Sequence, residues 1–186
     1  MKTYIAILRG INVSGQKLIK MTDLKRMFES LNLEEVKTYI QSGNIAFKTK
    51  EESEEVLQKK IHGAIQKTFN FDVPVTVLDE TELKKTQQNN PFIKEGKEDE
   101  SQLYVTFLSQ EPEKGVVEKL KETAQFLPDE WILSGRSVYI FCPGGYGKTK
   151  LNNNFFEKKL KVTATTRNWK TVNELVAMAG TNENQD

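Results

Sequence analysis

Val36-Lys37-Thr38-Tyr39-Ile40-Gln41-Ser42-Gly43-Asn44-Ile45-Ala46-Phe47-Lys48 decides the fold. Val36 to Gln41 alternates apolar and polar residues, Ser42 and Gly43 supply a tight turn, and Asn44 to Lys48 returns, so the stretch reads as a β-hairpin. Upstream, Thr3 to Leu8 is apolar on both pleat faces, as in a central strand. Leu24, Met27, Phe28 and Leu31 then recur at helical spacing behind Thr22, a predicted N-cap. Downstream, Ser53 opens a second helix, with Leu57, Ile61, Ile65 and Phe69 on one face. Val73 to Leu78 follows as a strand. The order from Thr3 to Leu78 is βαββαβ, the split-βαβ pattern.

The rest of the chain repeats that order without repeating the sequence. Leu103 to Leu108 reads as a strand and Pro112 to Ala124 as a helix. Trp131 to Leu133 and Val138 to Phe141 flank a Ser-Gly-Arg-Ser turn. Asn152 to Leu160 reads as a helix and Val162 to Thr165 as a strand. Asn168 caps a last helix that stops at Gly180. The expected fold is α+β, two linked ferredoxin-like subdomains. Their expected limits are residues 1–90 and 101–180, with a linker over 91–100 and a frayed tail over 181–186.

Composition bounds the function. The 186 residues are 37% hydrophobic and 28% charged, a globular balance, and the formal net charge is +1. The one cysteine, Cys142, excludes an internal disulfide and fits a reducing compartment. The apolar run at the start of the given sequence is too short for a signal peptide and is interrupted by Arg9, and no stretch approaches about 20 apolar residues. The expectation is therefore a cytoplasmic protein with no membrane partner. The one histidine, His62, argues against a zinc site and a Ser-His-Asp triad, so no metal and no cofactor is expected. Acidic pairs such as Glu51-Glu52 read as solvated surface.

Four polar, glycine-bearing segments remain: Leu8 to Gly15, Gln41 to Asn44, Pro143 to Lys150 and Thr165 to Thr171. The third lies between a strand and a helix, as phosphate loops do. A Walker A loop would need Gly at position 142, where Cys142 stands, so a nucleotide triphosphatase is excluded. Anion binding through Gly145, Gly147, Lys148 and Thr149 stays open, against a reading in which the glycines only serve turns. Arg167 precedes a helix N-terminus, which also favours an anion. From Gly144 to Lys170, seven cations face Glu157 alone, a net charge of +6.

Leu8-Arg9-Gly10-Ile11-Asn12-Val13, Tyr39-x-Gln41-Ser42-Gly43-Asn44, Gly145-Tyr146-Gly147-Lys148-Thr149-Lys150-Leu151 and Thr166-Arg167-Asn168-Trp169-Lys170-Thr171-Val172 together resemble domain-of-unknown-function family 1697, a group of uncharacterised bacterial proteins. The likeness runs from about Thr3 to Ala179. It implies two linked α+β subdomains and no established activity. Ser14 stands where members often have glycine.

The leading expectation is a binding module for a phosphate-bearing small molecule or RNA, held in a cleft between the subdomains. The candidate ligand-binding residues are Arg9, Asn12, Gln41, Ser42, Asn44, Gly145, Gly147, Lys148, Thr149, Arg167 and Asn168. The alternatives are an enzyme acting on a small anionic substrate and a structural or partner-binding protein without a ligand. No catalytic residue stands out, and the sequence sets no oligomeric state.

Overall fold

The hairpin forms as β2 (Glu34–Tyr39) and β3 (Asn44–Thr49) in a computed structural model that describes residues 1–51, 53–96 and 99–180. Its return strand pairs with β1 (Lys2–Leu8), and β1 pairs with β4 (Val75–Asp79), every pair antiparallel. The resulting four-stranded sheet has the order β2-β3-β1-β4. Helices α1 (Met21–Ser30) and α2 (Glu54–Phe69) complete the βαββαβ order. Their apolar stripes, Leu24, Met27 and Phe28 with Leu57, Ile61 and Ile65, share one core with Tyr4, Ala6, Leu8, Ile45 and Phe47 of the sheet. The Phe47 ring lies 5.7 Å from Phe28 and 6.1 Å from Tyr4. Burying each such side chain contributes roughly 1.5–3 kcal/mol, so this layer is the main stabilising term of the unit. Ile5 and Ile7, on the other pleat face of β1, are fully buried too.

The helix ends show what capping decides. Ser53 Oγ accepts the Val56 amide at 3.2 Å, as expected from its place before α2. Thr22, the expected cap of α1, instead sits inside the helix. Lys20 holds the cap position, and its carbonyl takes the Asp23 and Leu24 amides.

The second sheet repeats the first. It is built from β5 (Leu103–Leu108), β6 (Glu130–Ser134), β7 (Ser137–Phe141) and β8 (Ala164–Asn168), in the order β6-β7-β5-β8. Two further helices belong to it, α5 (Lys114–Thr123) and α6 (Asn153–Leu160). They bury Val117, Leu120, Phe156 and Leu160 against Leu108, Val138, Ile140 and Ala164. The protein is thus α+β, with two four-stranded antiparallel sheets, each with its own helices.

Two compact units emerge: Met1–Lys85 with Glu174–Asp186, and Thr86–Asn173. Helix α3 (Glu80–Gln88) follows β4 directly and runs across the first limit. Past it, Thr86 accepts the Tyr139 hydroxyl at its carbonyl, 2.8 Å, and Phe92 packs on Phe141. Part of the expected linker is ordered as a short helix, α4 (Pro91–Lys94), and a 3-10 turn, Glu100–Gln102. The last helix, α7 (Trp169–Gly180), begins in the second unit and ends in the first, where Gly180 lies beside Glu80 and Lys84. The expected frayed tail, 181–186, lies outside the described residues.

Candidate functional site

In the first unit the structure joins two of the four segments. Asn12 has a positive φ of 54°, a backbone Asn tolerates better than most residues. Its carboxamide bridges three backbone groups. Nδ2 donates to the carbonyls of Ile19 and Gln41, both at 2.9 Å, and Oδ1 accepts the Ile19 amide at 2.8 Å. The Leu8 amide donates to the Gly43 carbonyl at 2.8 Å. Gly43, at φ 84°, lies so close that an added Cβ would be 2.7 Å from Leu8 Cβ. Asn44 is fully buried and donates to the Tyr39 carbonyl and to Ser42 Oγ. Asn12, Ser42 and Asn44 therefore brace the loops. Gln41 is exposed and Arg9 half-buried, its amide donating to the Pro74 carbonyl. Ser14 takes a φ of 50°, a backbone that glycine adopts without strain.

The other two segments meet in the second unit. Tyr146, in the 3-10 turn Tyr146–Lys148, donates its hydroxyl to Thr166 Oγ1 at 3.0 Å, and its ring lies 5.0 Å from that of Tyr104. Thr166 also meets Asn153 Oδ1 at 2.7 Å and Thr106 Oγ1 at 2.6 Å. This hydroxyl network joins the glycine loop to β8, β5 and the start of α6. Nothing in the spacing of the sequence singles out Tyr146, Tyr104 or Asn153 for it. Thr166 pairs with Thr106, so strand alternation turns Arg167, the partner of Val105, to the opposite face of the sheet. The glycine loop thus gains Thr166 and not Arg167.

Loop donors expected for an anion are partly engaged. The amides of Gly145, Lys148 and Thr149 make turn bonds within the loop, and the Thr149 hydroxyl accepts the Leu151 amide. Asn168 Oδ1 caps α7 by accepting the Thr171 amide at 2.8 Å. Arg167 is half-buried, donates to the Thr166 carbonyl at 3.0 Å, and has its guanidinium pushed down to about 10 by burial. Gly147 and Lys148 are exposed. So are Lys150, Lys158, Lys159, Lys161 and Lys170. The one carboxylate of that stretch, Glu157, accepts the Ala164 amide at 3.0 Å.

Other candidates have structural explanations. His62 Nε2 lies 2.8 Å from Asp72 Oδ1, and this bond holds the Asp72 carboxyl below the usual range. Cys142 is buried, which pushes its thiol up to about 11, the wrong direction for a nucleophile. Phe47, Phe107 and Tyr139 are buried as well, so these sheet aromatics cannot stack bases as RRM aromatics do. Among the described residues no group of His, Cys, Asp and Glu could hold a metal ion, and no helix is long and apolar enough to cross a membrane. A cavity of about 380 Å³ opens beside β6, and the ammonium of Lys150, at the end of the glycine loop, lies 5.8 Å from the ring of Phe126 in its lining.

Comparison with solved structures finds a conserved bacterial protein from Streptococcus pneumoniae with TM-score 0.73 and 22% sequence identity, covering 96% of this chain and 98% of that one. At that identity the likeness shows the fold. No curated protein matches the sequence. A family model described as "Protein of unknown function (DUF1697)" matches residues 1–139, and the chain belongs to that family.

Proposed function

We propose that the chain is a binding module of two ferredoxin-like units that takes a phosphate-bearing ligand, nucleic acid above all, on the lysine-rich surface of the second unit. The strand orders β2-β3-β1-β4 and β6-β7-β5-β8, each with βαββαβ connectivity, support the ferredoxin-like reading. The observation that carries the functional reading is electrostatic. Six exposed lysines lie on one stretch of chain, from Lys148 through α6 and β8 to Lys170 at the start of α7, and its lone carboxylate is engaged by a backbone amide. Lysines held in water are suited to phosphate contacts that release counterions and carry no base specificity. A ligand spread along a helix surface matches an extended polyanion better than a compact substrate, which needs a concave site.

The test is anisotropy of a fluorescein-labelled single-stranded RNA, titrated at several salt concentrations. The slope of log affinity against log salt is expected to be negative, reaching about −4 if all six lysines contact phosphates. The double variant K158E/K159E should flatten it and weaken binding at least about tenfold. A thermal-shift arm with pyrophosphate and nucleotides separates a small phosphorylated ligand from RNA. Absence of binding in both arms at low salt, or wild-type affinity in the charge-reversed variant, would overturn the reading.

A further inference from the structure

The open edge of β6 is a second surface with its own chemistry. β6 is the outer strand of its sheet, and its register with β7 closes at Ser134 and Ser137 around the two-residue turn Gly135–Arg136. In such a hairpin the closing pair exchanges both backbone bonds and pairing alternates from there. Glu130 and Ile132 therefore face β7, and the N–H and C=O groups of Trp131 and Leu133 point outward. No described residue takes them.

Two other outer strands are protected. On β4 the Val77 and Asp79 amides are taken by Gln58 and Glu54 of α2, at 3.0 and 2.9 Å. β2 carries a register shift between Glu34 and Lys37, with Glu35 at φ 49°. β6 is regular and has neither device, so its edge is a template for another strand.

The cavity runs along this edge. Glu130, Trp131 and Ile132 all line it. Consecutive strand residues point to opposite faces, so a space that touches all three flanks the backbone edge. The far wall is the loop after α5, where Leu127 is 80% exposed. Both walls are held in place. The Trp131 indole donates to the Ala124 carbonyl at 2.8 Å, and Phe126 packs edge-on against Phe155 at 5.4 Å. Asp129 and Lys121, which also line the cavity, have no ion pair or side-chain hydrogen bond with any described residue.

We propose that this groove binds an extended peptide segment of a partner protein, which adds a strand to β6. An aromatic or branched aliphatic side chain would fill the cavity beside Trp131 and Phe126, with a Lys or Arg of the peptide paired to Asp129. Backbone bonds supply affinity and the pocket supplies selectivity, as in other β-augmentation sites. The concavity favours a single peptide over a second copy of this chain, whose own loop wall would accompany its β6.

The test uses a fluorescein-labelled Lys-Val-Lys-Phe-Lys-Val peptide and the full-length protein. Measurements are anisotropy and backbone amide shifts by NMR. Saturable binding that shifts the Trp131 and Leu133 amides is expected. A peptide N-methylated on every backbone nitrogen, which has no donor on either edge, should not bind. A version with Glu in place of Lys should bind about tenfold more weakly, and D129N should remove most of that difference. Equal binding of the plain and N-methylated peptides, no binding of the plain peptide, or no effect of D129N would overturn the proposal. So would a concentration-dependent dimer of the full-length protein in sedimentation.

Discussion

Replacing Gly43 by Ala tests whether the hairpin-tip motif is there for the fold. Two costs arise. A residue with a Cβ held at φ 84° is strained by roughly 1–2 kcal/mol. The added Cβ would also lie 2.7 Å from Leu8 Cβ and 2.9 Å from Ile11 Cδ1. Leu8 Cβ is fixed to the β1 backbone, whose amide is tied to the Gly43 carbonyl at 2.8 Å, so neither partner can withdraw alone. Overpacking of this kind costs about 1–3 kcal/mol. Together they give about 2–5 kcal/mol, or a fall in Tm of roughly 4–20 °C for a protein of this size. Gly10→Ala is the control. Its φ of 74° carries the same strain, but an added Cβ has nothing within 4 Å, so only about 1–2 kcal/mol is expected. Urea unfolding and differential scanning calorimetry of both variants check this. Equal destabilisation would refute the close-approach argument and leave backbone conformation as the sole reason for glycine at 43.

Asn12→Ala should cost about 2–3 kcal/mol in urea unfolding, because it leaves the amide and the carbonyl of the buried Ile19 without their partner, while the exposed Gln41 carbonyl turns to water. Tyr146→Phe removes only the hydroxyl that reaches Thr166 and should cost about 1 kcal/mol, with RNA binding unchanged. Burial pushes the Tyr139 phenol from 10.0 up to about 12. Between those values the unfolded chain releases the proton and the folded one keeps it, so stability should fall by about 2–3 kcal/mol as pH rises through that window. Tyr139→Phe should remove this part of the alkaline slope, read from urea unfolding across the same pH range.

The fold was legible wherever a strong local signal coincided with burial. Ser53, Asn152 and Asn168 cap helices as their positions suggest, but the hairpin connection is longer than the expected Ser42-Gly43 turn: β2 ends at Tyr39, which pairs with Asn44, and Ile40, at φ 46°, already belongs to the turn. The strands β4 and β8 begin two residues later than expected. Val73 and Val162 are buried before pairing starts, and an apolar residue can be buried without belonging to a strand. At the other end, Thr166, Arg167 and Asn168 pair with Tyr104 to Thr106, although polar residues in that place read as loop. Helix α3 escaped notice because only Leu83 and Thr86 of its nine residues are buried, too few for a stripe. The site was less legible. A short polar residue beside a glycine carries the same signal whether it braces a turn or faces a ligand. Asn12, Asn44, Thr149 and Asn168 all use their side chains on their own backbone. The exposure of the lysines around α6 depends on how that helix packs, which no window of sequence contains.

Helix α7 has a consequence for synthesis. The first unit draws its last contribution from Glu174 onward, after the whole of Thr86–Asn173 has been made. A ribosome therefore releases the N-terminal sheet early and its closing helix late. Throughout that interval the nascent sheet lacks the turn that reaches Glu80 and Lys84. The path of the chain keeps the two units from being completed in simple succession. The N-terminal unit starts first and finishes last, so a translation stop within the second half leaves both units incomplete.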